Sequence, residues 1–287
     1  MRKYAVIDVG SNSVRLMMLA DGKVLYKTLS TTRLGERLAQ THRLQDGAMF
    51  RTALAIKNFV KQAREENAES VYAYATASVR SAENGEAFIQ TVRQLCGLAV
   101  EVIDGKTEAE IGIIGALGNA DGAVIDMGGA STELAIRKNG AILYRESANV
   151  GVVRLLDTCG RDMDKLKAKT REAVQYFQDA PKLEKVYAIG GTATTLASLA
   201  LGLEVYDSEK ITGTEINLQQ MQGLVNTLSA LSVEETEKLP CMPKGRAEVI
   251  LGGAVLFVSL MEYLQISSIC VSDRDNLEGY AVQKGLL

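Results

Sequence analysis

Histidine is almost absent from this sequence: His42 is the only one in 287 residues. The four cysteines, Cys96, Cys159, Cys241 and Cys270, are scattered, with no pair close in sequence. Together these scarcities exclude a His/Cys zinc cluster. Long apolar runs are lacking too. The greasiest stretch, Val249 to Met261, is broken by Gly252, Gly253 and Ser259 and falls short of the roughly twenty residues that a bilayer span needs. It reads as a buried core helix, and no membrane association is expected. Nor is there an excess of positive charge: Lys and Arg number 32 against 35 Asp and Glu, a net charge of −3. That leaves no polybasic footprint for nucleic acid, so any cation that meets an anionic ligand must be local. Met1-Arg2-Lys3 leads straight into an apolar strand, unlike a signal peptide. Reduced thiols and a cytoplasmic location are therefore expected.

What is present is the composition of an ordinary globular protein, 47% hydrophobic and 23% charged, at a length that suggests two domains. One stretch occurs twice. Laying Ala123 over Ala5 aligns ten identities: Ala5, Val6, Ile7, Asp8, Gly10, Ser13, Leu16, Gly22, Leu25 and Tyr26 against their counterparts up to Tyr144. A period that long is no solenoid; it points to two half-domains grown from one unit. In each copy an apolar, β-branched run ends in Asp8 or Asp126. A small-residue turn follows, Gly10-Ser11-Asn12-Ser13 or Gly128-Gly129-Ala130-Ser131. A second strand then reaches Asp21-Gly22 or Asn139-Gly140, strong hairpin dipeptides, and a third strand closes the meander.

The turn between the first two strands is suited to chemistry. Gly and Ser leave backbone N–H groups unobstructed, so that several can point at one anion. An aspartate at the strand end offers a hard oxygen donor for Mg²⁺. Two such loops, one from each half, would clamp a phosphate between them.

Further along, Phe50, Leu54, Phe59 and Val60 fall near one face of a helix expected over 48–66. The strand at 71–75 ends in Thr76-Ala77-Ser78-Val79-Arg80, which sets Arg80 where α/β sheets deliver side chains to a cleft. Another strand leads through Asp104-Gly105-Lys106 into a helix with Thr107 as N-cap and Glu110 at the third position. Glu108 in that first turn either complements the helix dipole or faces the cleft as a water-orienting carboxylate. A third strand, at 185–189, enters Gly190-Gly191-Thr192 at a helix start, which suits an anion or a simple packing turn equally.

Taken together and in this order, Asp8-Val9-Gly10-Ser11-Asn12-Ser13-Val14-Arg15-Leu16, Ala75 to Arg80, Asp104 to Glu110, Asp126 to Glu133 and Gly190 to Thr192 resemble the exopolyphosphatase / guanosine pentaphosphate phosphohydrolase family. The resemblance spans essentially the whole chain. It implies the actin-like, sugar-kinase and heat-shock ATPase superfold: an α/β protein of two duplicated ribonuclease-H-like lobes, each a mixed sheet with flanking helices, around a central cleft. The N-terminal lobe would cover 1–119, with a C-terminal helix of 275–287 packed on it, and the C-terminal lobe 120–274.

The same resemblance implies Mg²⁺-dependent release of terminal phosphate from inorganic polyphosphate or from guanosine pentaphosphate, with the tetraphosphate a related ligand and a homodimer one expected assembly. Glu108 would activate water and Arg80 neutralise charge, while Asp8 and Asp126 serve the metal. Gly10, Ser11, Asn12, Ser13, Arg15, Gly128, Gly129, Ala130, Ser131, Gly190, Gly191 and Thr192 would hold phosphates, with Arg33 and Glu133 as further substrate contacts. Carboxylates without His or Cys favour Mg²⁺ over zinc, and in-line phosphoryl transfer needs mainly positioning and charge neutralisation.

Three departures bear on substrate. The family tends to glycine where Ala130 stands, and to arginine where Leu277 precedes Glu278-Gly279. The sequence also stops at Leu287, short of the helical C-terminal domains of longer members, which turns the expectation toward short chains or an alarmone. A small-molecule kinase of the same superfold, needing an acceptor, and a non-catalytic alarmone or nucleotide sensor are the alternatives.

Overall fold

The structure, a computed structural model, describes residues 2–287. Its first sheet is built from β1 (Lys3–Val9), β2 (Ser13–Ala20), β3 (Lys23–Thr31), β4 (Ala68–Ala75) and β5 (Glu101–Val102), in the order β3-β2-β1-β4-β5. The second comprises β6 (Gly122–Met127), β7 (Thr132–Lys138), β8 (Ala141–Ala148), β9 (Val186–Ile189), β10 (Glu215–Asn217) and β11 (Ser268–Val271). Its order, β10-β11-β9-β6-β7-β8, repeats the first with one antiparallel strand added at the edge. In each sheet the opening meander is antiparallel, and the next strand pairs in parallel with the meander's first strand. Helices flank both sheets, so the chain forms the two mixed-sheet lobes that the duplication predicts.

The duplication extends to backbone detail. The hairpin residues Asp21 and Gly22 have φ of 48° and 74°, and Asn139 and Gly140 have 54° and 76°; two consecutive positive φ values are what a type I′ turn requires. Register shifts interrupt the second and third strands between Met18 and Leu19 and, at the matching place, between Ile136 and Arg137. The loops agree as well: Gly10 N–H donates to Ser13 O at 3.1 Å and Gly128 N–H to Ser131 O at 3.0 Å.

Val249 to Met261 lies in the core as expected, Val249 as the N-cap and the rest within the buried helix Ile250–Tyr263, and no described helix is long and apolar enough to cross a membrane. Two local expectations fail. In the helix Asp46–Glu65, Phe50 is 71% and Leu54 44% exposed; the face against the sheet is made by Ala48, Thr52, Ala53, Ile56, Phe59, Val60 and Ala63. Small residues let that helix approach closely. The N-cap of the helix Gly105–Leu117 is Asp104, whose Oδ1 accepts from Thr107 N at 2.7 Å, because a carboxylate one turn earlier already satisfies the amide.

After β11 the chain crosses back to the first lobe as the helix Asn276–Gln283. Leu277, Tyr280 and Ala281 join Val6, Met17, Leu19, Tyr74, Ile103 and Ile111 in one buried cluster, and the Tyr74 and Tyr280 ring centroids stand 4.5 Å apart. Leu277, the second departure from the family pattern, is thus an apolar core residue here. This helix lies against Gly105–Leu117 at a glycine contact. A Cβ on Gly115 would fall 1.8 Å from Asp275 O, and one on Gly279 1.7 Å from Ile111 O, so neither position admits a side chain.

Candidate active site

The two duplicated loops meet. A Cβ on Gly129 would come 2.8 Å from Ser11 Cβ and 3.2 Å from Asn12 N, so glycine there permits the contact between lobes. Ala130, where the family prefers glycine, is buried with its carbonyl accepting from Arg154 Nε at 2.7 Å. The amides of Gly10 and Gly128 are spent within their own loops. Those of Ser11, Asn12, Gly129 and Ala130 have no protein acceptor among the described residues, and Asn12 Oδ1 is buried without a partner.

Asp8 and Asp126 lie near the ends of repeat-related strands, one in each sheet, and belong to one buried network. Arg15 Nη2 lies 2.5 Å from Asp8 Oδ2, and the same guanidinium binds Asp275 through Nη1. Asn276 Nδ2 donates to Asp126 Oδ2 at 2.5 Å. Asp275, Asn276, Asp8 and Asp126 are all under 9% exposed. Arg15, expected to contact phosphate, is thus ion-paired to two carboxylates.

Glu108 sits at the mouth of this network, 5% exposed. Arg80 Nη1 lies 3.1 Å from Glu108 Oε2 and also donates to Ile103 O at 2.7 Å. Glu110 instead points outward to Arg145, 2.8 Å away. With the N-cap at Asp104 only Glu108 falls in the first turn, and burial separates the two glutamates: Glu110 lies at the surface and Glu108 is buried. Glu133 is 1% exposed, with Oε1 accepting from Ser147 Oγ at 2.6 Å and Oε2 left without a partner.

Carboxylate crowding shows in the acidities. Burial pushes Glu108 up to about 8, against the pull of Arg80 and with a further push from Asp126. Burial and the neighbouring Asp275 push Asp126 up to about 7. Burial, Glu108 and Asp126 raise Glu133 well above its ordinary value, and burial also raises Asp8 despite Arg15. Only Asp275 is lowered: burial works the other way, but Arg15 and Lys27 outweigh it. Among the described residues no three His, Cys, Asp or Glu side chains form a ready-made metal cluster.

The third glycine turn opens the helix Gly190–Ala200. Gly190 has a φ of +87°, and a Cβ there would meet Asp126 Oδ1 at 2.9 Å. Thr192 Oγ1 is buried and unpartnered. Against Gly191 lies Arg246, 8% exposed, with Nη2 2.3 Å from where a Cβ on Gly191 would stand. Arg246 makes no ion pair among the described residues, and its Nε has no acceptor. Burial, and the like charge of Arg15, lower it to about 10, so it remains a cation at neutral pH. A buried, unpaired guanidinium is costly, and one placed against an amide-lined turn marks an anion seat. Sequence reasoning missed it: Arg246 has no local motif, and only its unpaired burial identifies it.

Arg33, by contrast, pairs with Glu248 at 2.9 Å at the seam between the lobes. Arg154, also missed, reaches across to Ser81 Oγ at 3.1 Å while holding Ala130 O. Buried polar atoms without partners concentrate here: Asp8 Oδ1, Asn12 Oδ1, Glu133 Oε2, Thr192 Oγ1, Arg246 Nε and Asn276 Oδ1. Unsatisfied buried groups are few in folded proteins and mark functional places when they cluster.

Comparison with known proteins agrees with this geometry. The chain is similar to exopolyphosphatase 2 of Mycobacterium tuberculosis, 28% identical over 98% of both chains. It is 26% identical to a guanosine-5′-triphosphate,3′-diphosphate pyrophosphatase of Aeromonas hydrophila, over 99% of this chain and 58% of that protein. Among solved structures, the Aquifex aeolicus member of the Ppx/GppA family superposes with a TM-score of 0.80 at 30% identity, covering 99% of this chain and 98% of that one. The model of the Ppx/GppA phosphatase family matches residues 16–286, and the chain belongs to that family.

Proposed function

We propose that this protein is a Mg²⁺-dependent phosphoanhydride hydrolase that releases terminal phosphate from inorganic polyphosphate or guanosine pentaphosphate. The observation that carries the reading is the convergence of two duplicated loops, the Gly190 turn, the unpaired Arg246 and the buried Glu108 on one point between the lobes. Its relatives are named for those two substrates.

The residues fit a divalent ion. Asp8 and Asp126 are hard oxygen donors, Asp8 Oδ1 is buried without a partner, and burial pushes the carboxyls of Asp8, Glu108, Asp126 and Glu133 up. Mg²⁺ is usually held by one or two carboxylates with waters and substrate phosphates completing its shell, which suits a site lacking a three-ligand cluster. When bound it supplies charge neutralisation at the phosphoryl oxygens.

The chain's own groups do the rest. The free amides of Ser11, Asn12, Gly129 and Ala130 grip phosphate oxygens from both lobes, and Arg246 with Thr192 grips from the third turn. Glu108, raised toward neutrality, accepts a proton from a water held in line with the scissile bond, and Arg80 fixes its orientation. Contact between the loops keeps bulk water away from that point.

The test is phosphate release from polyphosphate and from guanosine pentaphosphate, with Mg²⁺ and no acceptor, by wild type and Glu108→Gln. Release by wild type that collapses in the variant supports the reading. Turnover only with an added acceptor would make the protein a kinase, and tight binding without turnover a sensor; either overturns it.

A further inference from the structure

Two consecutive residues connect the duplicated halves. Asp275 grips Arg15, and Arg15 grips Asp8 of the first lobe; Asn276, next in the chain, grips Asp126 of the second. Both residues begin the helix that leaves β11 and packs on the first lobe. Asp275 is that helix's N-cap as well, its Oδ1 accepting from Leu277 N at 3.0 Å. We infer that Asp275-Asn276 is a bracket that sets the two repeat-related aspartates at a fixed spacing, with Asn276 as a positioning residue for Asp126. This deepens the function proposed above and rests on it.

The geometry favours positioning over ordinary packing for three reasons. Asn276 is 5% exposed and its amide is aimed at Asp126 rather than at its own helix. The Asn276 donation occupies Asp126 Oδ2, leaving Oδ1 beside Gly190 as the oxygen presented to the cleft. Lastly, the neighbouring helix makes room for the amide: a Cβ on Gly112 would stand 2.8 Å from Asn276 Oδ1. Outer-shell hydrogen bonds of this kind orient a ligating carboxylate, and their loss typically weakens metal affinity about 10–100-fold.

Lys27 anchors the bracket from β3. Its Nζ donates to Asp273 O at 2.7 Å and lies 2.7 Å from Glu278 Oε1. The segment between β11 and its helix is thereby pinned to the first lobe by two cations, Arg15 and Lys27. Whatever moves one lobe against the other moves Asp8 and Asp126 together through it.

The experiment uses the full chain with Asn276→Ala, the near-isosteric Asn276→Leu that cannot donate, and Asp126→Asn as a reference. Three quantities are measured: kcat and KM for phosphate release, Mg²⁺ binding to the substrate-free protein by calorimetry, and thermal denaturation. Expected for Asn276→Ala are an unchanged fold, Mg²⁺ binding about tenfold weaker, kcat down by at least the same factor and KM within about threefold. Asn276→Leu should keep its fold and lose kcat likewise. Either folded variant retaining kcat and Mg²⁺ affinity within about twofold of wild type overturns the bracket, as does failure of both variants to fold, which would make the contact structural. Should Asp126→Asn keep full turnover, or wild type bind no Mg²⁺, the site reading itself fails. Loss in Asp126→Asn alone leaves that reading standing and removes only the bracket.

Discussion

Arg80 Nη1 touches Glu108 Oε2 at 3.1 Å and Ile103 O at 2.7 Å, so one guanidinium ties the buried glutamate to the strand end that precedes its helix. That contact restrains both the position and the acidity of Glu108. Replacing Glu108 by Gln keeps the shape and removes the proton acceptor; kcat should fall about 10²–10⁴-fold with the fold intact, read by steady-state phosphate release. Arg80→Ala should also lower kcat. Because it removes the cation that opposes burial, it should shift the rising limb of the pH profile to higher pH, whereas Arg80→Lys should shift it less. A Glu108→Gln enzyme with wild-type turnover would discard the glutamate as base.

The same carboxyls make stability depend on pH in an unusual direction. Burial raises Glu108 from 4.5 to about 8 and Asp126 from 3.8 to about 7. From about pH 5 to about pH 8 the folded protein therefore holds protons that the unfolded chain has released, and stability falls as pH rises. Asp275 is shifted the other way, but its contribution is complete above its ordinary value of 3.8 and does not vary across this window. In a chelator the melting temperature should be higher at about pH 5.5 than at about pH 8. Millimolar Mg²⁺ should narrow that gap, since a cation among the carboxylates favours their ionised forms. A melting temperature that rises with pH in the chelator would contradict the buried-carboxylate account.

How much of this was written locally in the sequence differs residue by residue. The duplicated meander was legible because Asp21-Gly22 and Asn139-Gly140 need positive φ and carry residues that tolerate it, and because the apolar runs alternate with turn residues. Glu108 was legible only as a choice between dipole decoration and catalysis; burial, which separates it from Glu110, is a tertiary quantity. The face of Asp46–Glu65 was misjudged because large residues at helical spacing, Phe50 and Leu54, suggested the core, while the actual contact is made by alanines, Thr52, Ile56, Phe59 and Val60. Asp275 and Asn276 look like an ordinary helix cap. Their partners Arg15 and Asp126 are so far away in the chain that no local pattern announces them.

The crossing of the two interlobe helices rests on glycine. A methyl on Gly279 would sit 1.7 Å from Ile111 O, and one on Gly115 1.8 Å from Asp275 O. Both obstacles are backbone atoms that no rotamer change relieves. Gly279→Ala should therefore force the helices apart and cost about 1–3 kcal/mol or more of stability. It should cost activity beyond that, because the helices carry Glu108 on one side and the Asp275-Asn276 pair on the other. Denaturant unfolding and turnover at a temperature where the variant stays folded measure the two losses separately. Gly97→Ala, at a helix C-cap with open space around it, serves as the comparison: φ of +72° makes it mildly strained, with no steric clash, and it should leave turnover unchanged.

Arg246 gives a prediction in which stability and function move in opposite directions. Its guanidinium is 8% exposed, its Nε has no acceptor, and burial has already lowered it to about 10. Holding an unpaired cation there costs folding free energy that an apolar side chain of similar length would not. Arg246→Met should therefore raise the melting temperature, by the equivalent of about 1–3 kcal/mol. The same change removes a charge-assisted contact to phosphate worth about 1.5–3 kcal/mol, so KM should rise roughly 10–100-fold. Inorganic phosphate and sulfate should stabilise wild type against heat far more than they stabilise the variant. Were Arg246→Met less stable than wild type with KM unchanged, the arginine would be a structural group satisfied in some other way, and the third glycine turn would lose its cation.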